Sequence, residues 1–475
     1  MTHDRGTAVV QAHIQKTRLA TEPGPRRVLI ITGDPIGKKL AGPAIRALSF
    51  AAELAEDGHS VRVVSLQHVE ISDARYELLA VSTQQQMIRQ EDWAEIIVVQ
   101  GNALVLYPVL ANTKKYLVVD IYDPMHLEQL EQSKGLGPKD WNQAVSGANG
   151  ILNHQLRIGD FFLAASDRQV QFWLGALATL GRVNPLTYGQ DDSLRSLIDI
   201  ASFGLDGSLP EVRRPALRNV VPGIDDSSKI LIWAGGIYDW FDPITLVYAV
   251  NEVRKSRPEV CLYFMGTRHP HPGVPEMDII AETRQVSKSL GLTGKNVFFN
   301  DSWVDYKDRH NFLLESDAGV STHFEHVETQ FSFRTRILDY LWAGLPIITT
   351  NGDVFAELVT QHKLGASVPD RNVDSLAKAI DHVLFDGAEH IKMRANVLKV
   401  REQFTWRNTT AALRKFCESP WYAADRIMVD RHGEIHRAPT SQSRFVLIRR
   451  IRRAFDILVS QGPVALIRAV RRSSR

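Results

Sequence analysis

A chain of 475 residues is too long for one ordinary hydrophobic core, so two or three domains are expected. Its 44% hydrophobic and 23% charged content is that of a globular protein, and its two cysteines, Cys261 and Cys417 in apolar contexts, exclude a disulfide framework or a cysteine zinc site. The formal net charge of +2 hides an asymmetry: Ser441 to Arg475 holds nine Arg and one Asp, a charge of +8 against −6 for the rest.

Residues 1–25 read as a flexible leader without the long apolar run of a secretory signal, and no stretch of about 18 apolar residues predicts a spanning helix. Arg27 to Thr32 is a β-rich run ending in Gly33-Asp34-Pro35. A loop from Gly37 to Pro43 follows, then apolar positions at helical spacing from Ala44 to Glu56, closed by Gly58, and a second strand from Val61 to Leu66. This order opens a doubly wound sheet, although the loop lacks the GxGxxG fingerprint. Gly42 either serves a tight turn or lets the backbone approach a ligand. Arg46 points to the same place or is a solvated surface charge.

Ile96 to Val99 and Tyr116 to Asp120 read as strands, the latter running into Ile121-Tyr122-Asp123-Pro124. Acidic residues at such a strand end lie where open α/β sheets bind ligands. Asp120, Asp123 and His126 converge there and suit an acceptor hydroxyl or a leaving group, while Asp123 also reads as a turn former ahead of Pro124. Their spacing fits no strong metal pattern. Phe161 to Ala165 is a strand, Ser166-Asp167 caps a helix from Arg168 to Leu180, and Pro210, Pro215 and Pro222 punctuate a polar connection near 207–227.

Lys229 to Gly236 opens the second half as a strand and glycine turn; Tyr238, Asp239 and Trp240 after it contact a sugar or acceptor, or pack as an aromatic loop. Further strands are expected at Val260–Met265, Asn296–Phe299 and Ala318–Ser321, with a helix from Tyr306 to Ser316. The stretch from Ser321 to Leu358 reads as loop, helix, strand, turn and helix. Ser332 is the expected N-cap; Ile337, Leu338 and Leu341 form the inward face; Gly344 and Pro346 end the helix; Ile347 to Thr350 is a strand. Arg334 and Arg336 then fall in the first helical turn, where the dipole alone favours acids. A bound diphosphate accounts for them, as does an i,i+3 pair of Arg336 with Asp339. Leu376–Leu384, Val397–Phe404 and Ala411–Cys417 read as the last helices before the tail.

The run Asp339 to Pro346 (DYLWAGLP), continued by IITTNGDVFAEL, resembles the donor-binding segment of family 4 (group 1) glycosyltransferases of the GT-B fold. Ala201 to Asp206 (ASFGLD) resembles their linker, and Phe404-Thr405-Trp406 with Ala411 to Cys417 resembles their returning helix; the resemblance spans roughly Arg26 to Trp421. It implies an α/β architecture of two Rossmann-like doubly wound domains facing across a cleft. The acceptor side would be 26–215, the nucleotide-sugar side 216–402, and the helix crossing back 403–425. It implies Asp339 on the ribose hydroxyls, Gly42 and Gly236 at the donor phosphates, and Trp303 and Val304 at the base. Where the family has a second Glu eight residues earlier this chain has Phe331, and Glu328 is the stand-in for the contact to the donor sugar. The family's Arg and Lys are absent from Gly235 to Pro243, and Arg334 and Arg336 are the replacements.

The candidate catalytic residues are therefore Asp123, Glu328 and Arg334, with Asp120, His126 and Tyr238 on the acceptor side. The resemblance further implies a retaining reaction with a nucleotide sugar as co-substrate and no metal or other cofactor. Residues 440–475 alternate apolar residues with Arg at helical spacing, the pattern of a basic amphipathic helix at an anionic membrane surface. The expectation is a glycosyltransferase acting on a saccharide or lipid-linked saccharide in surface polysaccharide synthesis, cytoplasmic and peripheral at the inner face of the cell membrane, with no nucleic-acid partner. The alternatives are a nucleotide-sugar epimerase of the same fold and a non-catalytic binding protein.

Overall fold

The computed structural model describes residues 22–267, 277–302, 304–429 and 435–437. Two all-parallel sheets organise them. The first has seven strands in the order β3-β2-β1-β4-β5-β6-β7: β1 Arg27–Thr32, β2 Ser60–Ser65, β3 Glu77–Ala80, β4 Ile96–Val99, β5 Tyr116–Asp120, β6 Phe161–Ala164 and β7 Ile198–Ile200. The second has six in the order β10-β9-β8-β11-β12-β13: β8 Lys229–Trp233, β9 Val260–Phe264, β10 Val297–Phe299, β11 Ala318–Ser321, β12 Ile347–Thr350 and β13 Gly365–Val368. Each order reverses direction once, between β1 and β4 and between β8 and β11, and ligands of such sheets bind outside the strand ends at that point.

The strands form where β-branched and aliphatic residues run together. Val28 to Ile31, Ile96 to Val99 and Ile230 to Trp233 are all fully buried, as strands covered on both faces must be. In these two sheets the strands that the residue pattern did not announce are β3, β7 and β13, which are short, lie at a sheet edge and leave several residues partly exposed, so little apolar signal marks them.

The chain crosses between the lobes twice. The segment after β7 leads to β8, and a 3-10 turn, Arg401–Phe404, leads back to two helices, Trp406–Thr409 and Ala411–Glu418, that pack on the Gly42–Glu56 helix of the first lobe. The crossings pair with each other: the Leu205 amide donates to the Phe404 carbonyl at 2.8 Å and the Trp406 amide to the Leu205 carbonyl at 3.1 Å. Among the described residues no helix is long and apolar enough to cross a membrane. The 440–475 tail lies outside the described residues.

Candidate active site

The ends of both sheets face one continuous cleft. One half is lined by Gly42, Gly236, Val304, Arg309, Arg336 and Asp339; the other by Asp123, Glu128, Glu328, Arg334 and the aromatic rings of Tyr122 and Phe241. Gly42, Phe203, Tyr238, Thr335 and Arg336 border both halves.

Two helices begin at this border. The Gly42–Glu56 helix has Ala41 as its N-cap, no side-chain cap and no acid in its first turn. The Arg336–Ala343 helix has Thr335 as its N-cap and again no side-chain cap. The Ile337 and Leu338 amides already donate to the Arg334 and Thr335 carbonyls at 3.0 Å each, so what the two helix starts bring to one space is the positive end of each dipole. Arg336 adds a full charge. It is 8% exposed; its Nη2 donates to the Gly236 carbonyl at 2.7 Å and its Nη1 has no partner. The guanidinium packs on the rings of Trp233 and Phe241, 4.5 and 4.4 Å from their centroids. Burial pushes its pKa down to about 10, the mark of a cation taken out of water without a carboxylate to balance it.

Arg334 is different. Its Nη2 donates to Glu328 at 2.9 Å and to Thr329 Oγ1 at 3.3 Å, and its Nε lies 4.0 Å from Asp353. The two arginines therefore do not form a matched phosphate clamp: Arg334 is the counter-ion of Glu328, and Arg336 stands free. Arg336 does not pair with Asp339 either. Asp339 accepts from Arg309 Nε at 2.9 Å, and Arg309 lies over the Tyr306 ring at 3.7 Å.

The expected N-cap is also displaced. Ser332 is extended and ends a separate short helix, Val327–Phe331, which carries Glu328; the next helix starts only at Arg336. Phe333 between them is drawn onto Phe355 at 4.7 Å, so residues 332–335 follow tertiary packing rather than helical propensity.

On the first lobe the expected acceptor-side residues separate. Asp120 is held in the interior. Arg46 Nε and Nη2 reach its two oxygens at 2.7 Å each, Gln100 donates to it at 3.0 Å, and Arg46 also donates to the Ala201 carbonyl at 2.6 Å. Asp120 thus has no free face for an acceptor, and Arg46 is neither solvated nor in the cleft. The reason is alternation: Asp120 shares its sheet face with Val118, the face covered by the Gly42–Glu56 helix. His126 lines neither half of the cleft; its ring lies against Phe172 and Trp173, 5.6 and 5.7 Å between centroids, and burial pushes its pKa down. Asp123, beyond the strand end, does line the cleft.

Gly42 is the first helical residue, with no positive φ, and a Cβ placed there would meet only Phe203 at 3.7 Å, so no tight turn demands glycine. Gly235, at φ +106°, is the turn residue that does. The Gly236 carbonyl accepts from Arg336 and from Trp233 Nε1. Tyr238 stacks on Trp240 at 4.9 Å, as a packed aromatic loop does, and also borders the cleft. Val304 lines the Asp339 half, and Trp303 lies outside the described residues.

Three residues had no signal in the sequence. Arg309 and Glu128 are single charges in ordinary helical context. Tyr340 is an aromatic on an inward face whose hydroxyl donates to the Val320 carbonyl at 2.7 Å and accepts from the Ala234 amide at 3.0 Å, tying β11 and β8 together at the switch point. Among the described residues no group of three or more His, Cys, Asp or Glu could hold a metal ion.

Comparison with known proteins places this geometry. Residues 228–386 match the family model described as "Glycosyl transferases group 1". The fold is GT-B. Solved structures that share it include WaaG, a glycosyltransferase involved in lipopolysaccharide biosynthesis (14% identity, 82% of this chain and 98% of that one, TM-score 0.53). Sucrose-phosphate synthase from Thermosynechococcus elongatus aligns at 13% identity over 82% of this chain and 97% of its own, with a TM-score of 0.59. HepE of Anabaena, solved in complex with UDP-glucose, aligns at 14% identity over 82% and 98%, with a TM-score of 0.54. No curated protein sequence gives a match. The group 1 glycosyltransferase match falls on the lobe of this GT-B molecule that supplies Arg334, Arg336 and Asp339.

Proposed function

We propose that the protein transfers a sugar from a nucleotide-sugar donor to a saccharide acceptor. The observation that carries this reading is Arg336: a buried guanidinium with one nitrogen unpartnered, at the meeting of two uncapped helix starts. A diphosphate there satisfies the free nitrogen, lies at the positive ends of two helix dipoles, and has the charge that develops on the leaving group stabilised. The nucleoside then extends toward Val304 and Asp339, and the transferred sugar into the half lined by Asp123, Glu328 and Arg334. The group 1 match on the second lobe and a GT-B neighbour solved with UDP-glucose support it.

Calorimetric titration with UDP-, GDP- and dTDP-sugars tests the reading. At least one should bind, and Arg336→Ala should weaken it by about 10- to 100-fold, the value of a charge-assisted hydrogen bond. Binding by none, or full affinity in Arg336→Ala, removes the reading. Retention, the stereochemistry that the resemblance implies, is read from the anomeric coupling in the product's proton spectrum.

The finer proposal is a lipid-linked saccharide acceptor in surface polysaccharide synthesis, in the cytoplasm at the inner membrane face. Its support is the +8 charge of residues 441–475 interleaved with apolar residues. Deleting 441–475 should release the protein from vesicles containing anionic lipid; undiminished vesicle binding by the truncated chain refutes it.

A further inference from the structure

The cleft half that holds Asp339 also holds a second cation, Arg309, which opens the short Arg309–Leu314 helix. Its Nε donates to Asp339 Oδ1 at 2.9 Å and its Nη1 to the Tyr306 carbonyl at 2.7 Å. Nε and Nη2 share one edge of the planar guanidinium, so the bond to Asp339 turns Nη2 to the same side. Nη2 has no hydrogen-bond partner among the described residues, and neither has Asp339 Oδ2. Neither atom is sealed from solvent, as the orphaned nitrogens of Arg334 and Arg336 are; the two side chains are 12% and 26% exposed and line the cleft. The guanidinium is also fixed in place. It packs on the rings of Tyr306 and Trp342, 3.7 and 4.5 Å from their centroids, and Trp342 Nε1 donates to the Ser208 carbonyl at 2.8 Å. A rigid N–H donor and a carboxylate acceptor thus stand side by side with their free atoms toward one space.

We propose that Arg309 is a second ribose-binding residue: its Nη2 donates to one hydroxyl of the donor ribose while Asp339 Oδ2 accepts from the neighbouring one. The inference rests on the transferase reading and adds to Asp339 a contact that the resemblance does not supply. A hydroxyl can donate or accept, so a vicinal diol meets a donor and an acceptor placed next to each other with one bond to each. A carboxylate alone offers two acceptors, and here Oδ1 already receives Arg309 Nε. The position suits ribose. Asp339 follows Arg336 by three residues on one helix, so the two lie on the same face about 4.5 Å apart along its axis. A diphosphate at Arg336 therefore brings its adjoining ribose, rather than the base, to Asp339 and Arg309. Because both groups are left unpaired by a sugar that lacks a hydroxyl, the pair selects a ribonucleoside diphosphate over its deoxy forms.

The test is calorimetric titration of the full chain with UDP and GDP and with the 2′-deoxy and 3′-deoxy form of whichever binds more tightly. The wild-type chain should bind each deoxy form about 10-fold or more weakly than the ribonucleotide, the value of a hydrogen bond to a charged group. Arg309→Ala should abolish the preference against one deoxy form, and Asp339→Asn should reduce the preference against the other. A residue that merely props Asp339 gives a different result: its loss weakens ribo and deoxy forms alike, or lowers the same preference that Asp339→Asn lowers. Should Arg309→Ala not fold, Arg309→Gln, whose flat amide packs on the same two rings, takes its place. The comparison on the wild-type chain needs no variant. Equal wild-type affinity for the ribonucleotide and either deoxy form overturns the proposal, as does a preference unchanged in the Arg309 variant or lost against the same form in both variants. A wild-type chain that binds no nucleoside diphosphate and no nucleotide sugar overturns the transferase reading instead.

Discussion

Asp120 and Asp123 stand three residues apart, and the sequence treats them alike; the folded chain does not. Asp120 lies inside a pair with Arg46 that is fully buried on both sides. Removing one partner of such a pair leaves an uncompensated charge, so Asp120→Asn should destabilise the protein by about 3–5 kcal/mol in denaturant titrations. Asp123 behaves in the opposite sense. Its pKa is raised from the ordinary value to about 6, so between those limits the folded state holds a proton that the unfolded state has released. Stability therefore falls as pH rises across that window, by up to about 3 kcal/mol. Asp123→Asn should raise Tm at neutral pH and leave it nearly unchanged below about pH 4. That two acids in one short run are sorted to an interior ion pair and an open cleft depends on strand alternation and on where β5 stops. The position of Asp120 on the Val118 face was readable in principle; the reach of Arg46 across 74 positions of sequence was not.

The Arg336–Ala343 helix shows what can be read at the scale of one element. Its inward face, its Gly344 terminus in the left-handed region and the strand after it follow directly from residue types. Its start does not, because aromatic packing of Phe333 holds residues 332–335 out of the helix. Nor does the anchoring of the helix by Tyr340, which depends on a glycine in a different element. A Cβ at Gly319 would lie 2.3 Å from the Tyr340 ring, so β11 leaves room for that ring only as glycine. Gly319→Ala should displace Tyr340 and with it the first turn that carries Arg336, lowering Tm and weakening donor binding together. Tyr340→Phe keeps the ring but removes hydrogen bonds to buried backbone groups of β8 and β11; a loss of about 1–3 kcal/mol should appear in denaturant titrations.

At the scale of the molecule, two Rossmann-like lobes were legible because buried parallel strands announce themselves as unbroken aliphatic runs between helices. What the sequence withheld is how the lobes meet. Arg168, on the Asp167–Thr179 helix of the first lobe, donates to the Gly352 carbonyl at 2.6 Å and pairs with Glu357. Gln169 beside it donates to the Phe331 carbonyl at 2.7 Å, and Phe172 lies 4.5 Å from the Phe331 ring. These contacts grip the short helix that carries Glu328. Arg168→Ala should accelerate hydrogen exchange at the amides of 327–331 while leaving the strands of both sheets protected. Equal exchange in the two proteins would show that the grip plays no part in ordering Glu328.

The double crossing has a mechanical consequence. Leu205 is hydrogen-bonded to both Phe404 and Trp406, Arg401 donates to the carbonyls of Asp206, Gly207 and Ser208, and Gly204 sits where a Cβ would come within 2.8 Å of the Trp406 backbone. Two tethers glued side by side act as one axle. A proteolytic nick in either tether leaves the halves still joined through its twin.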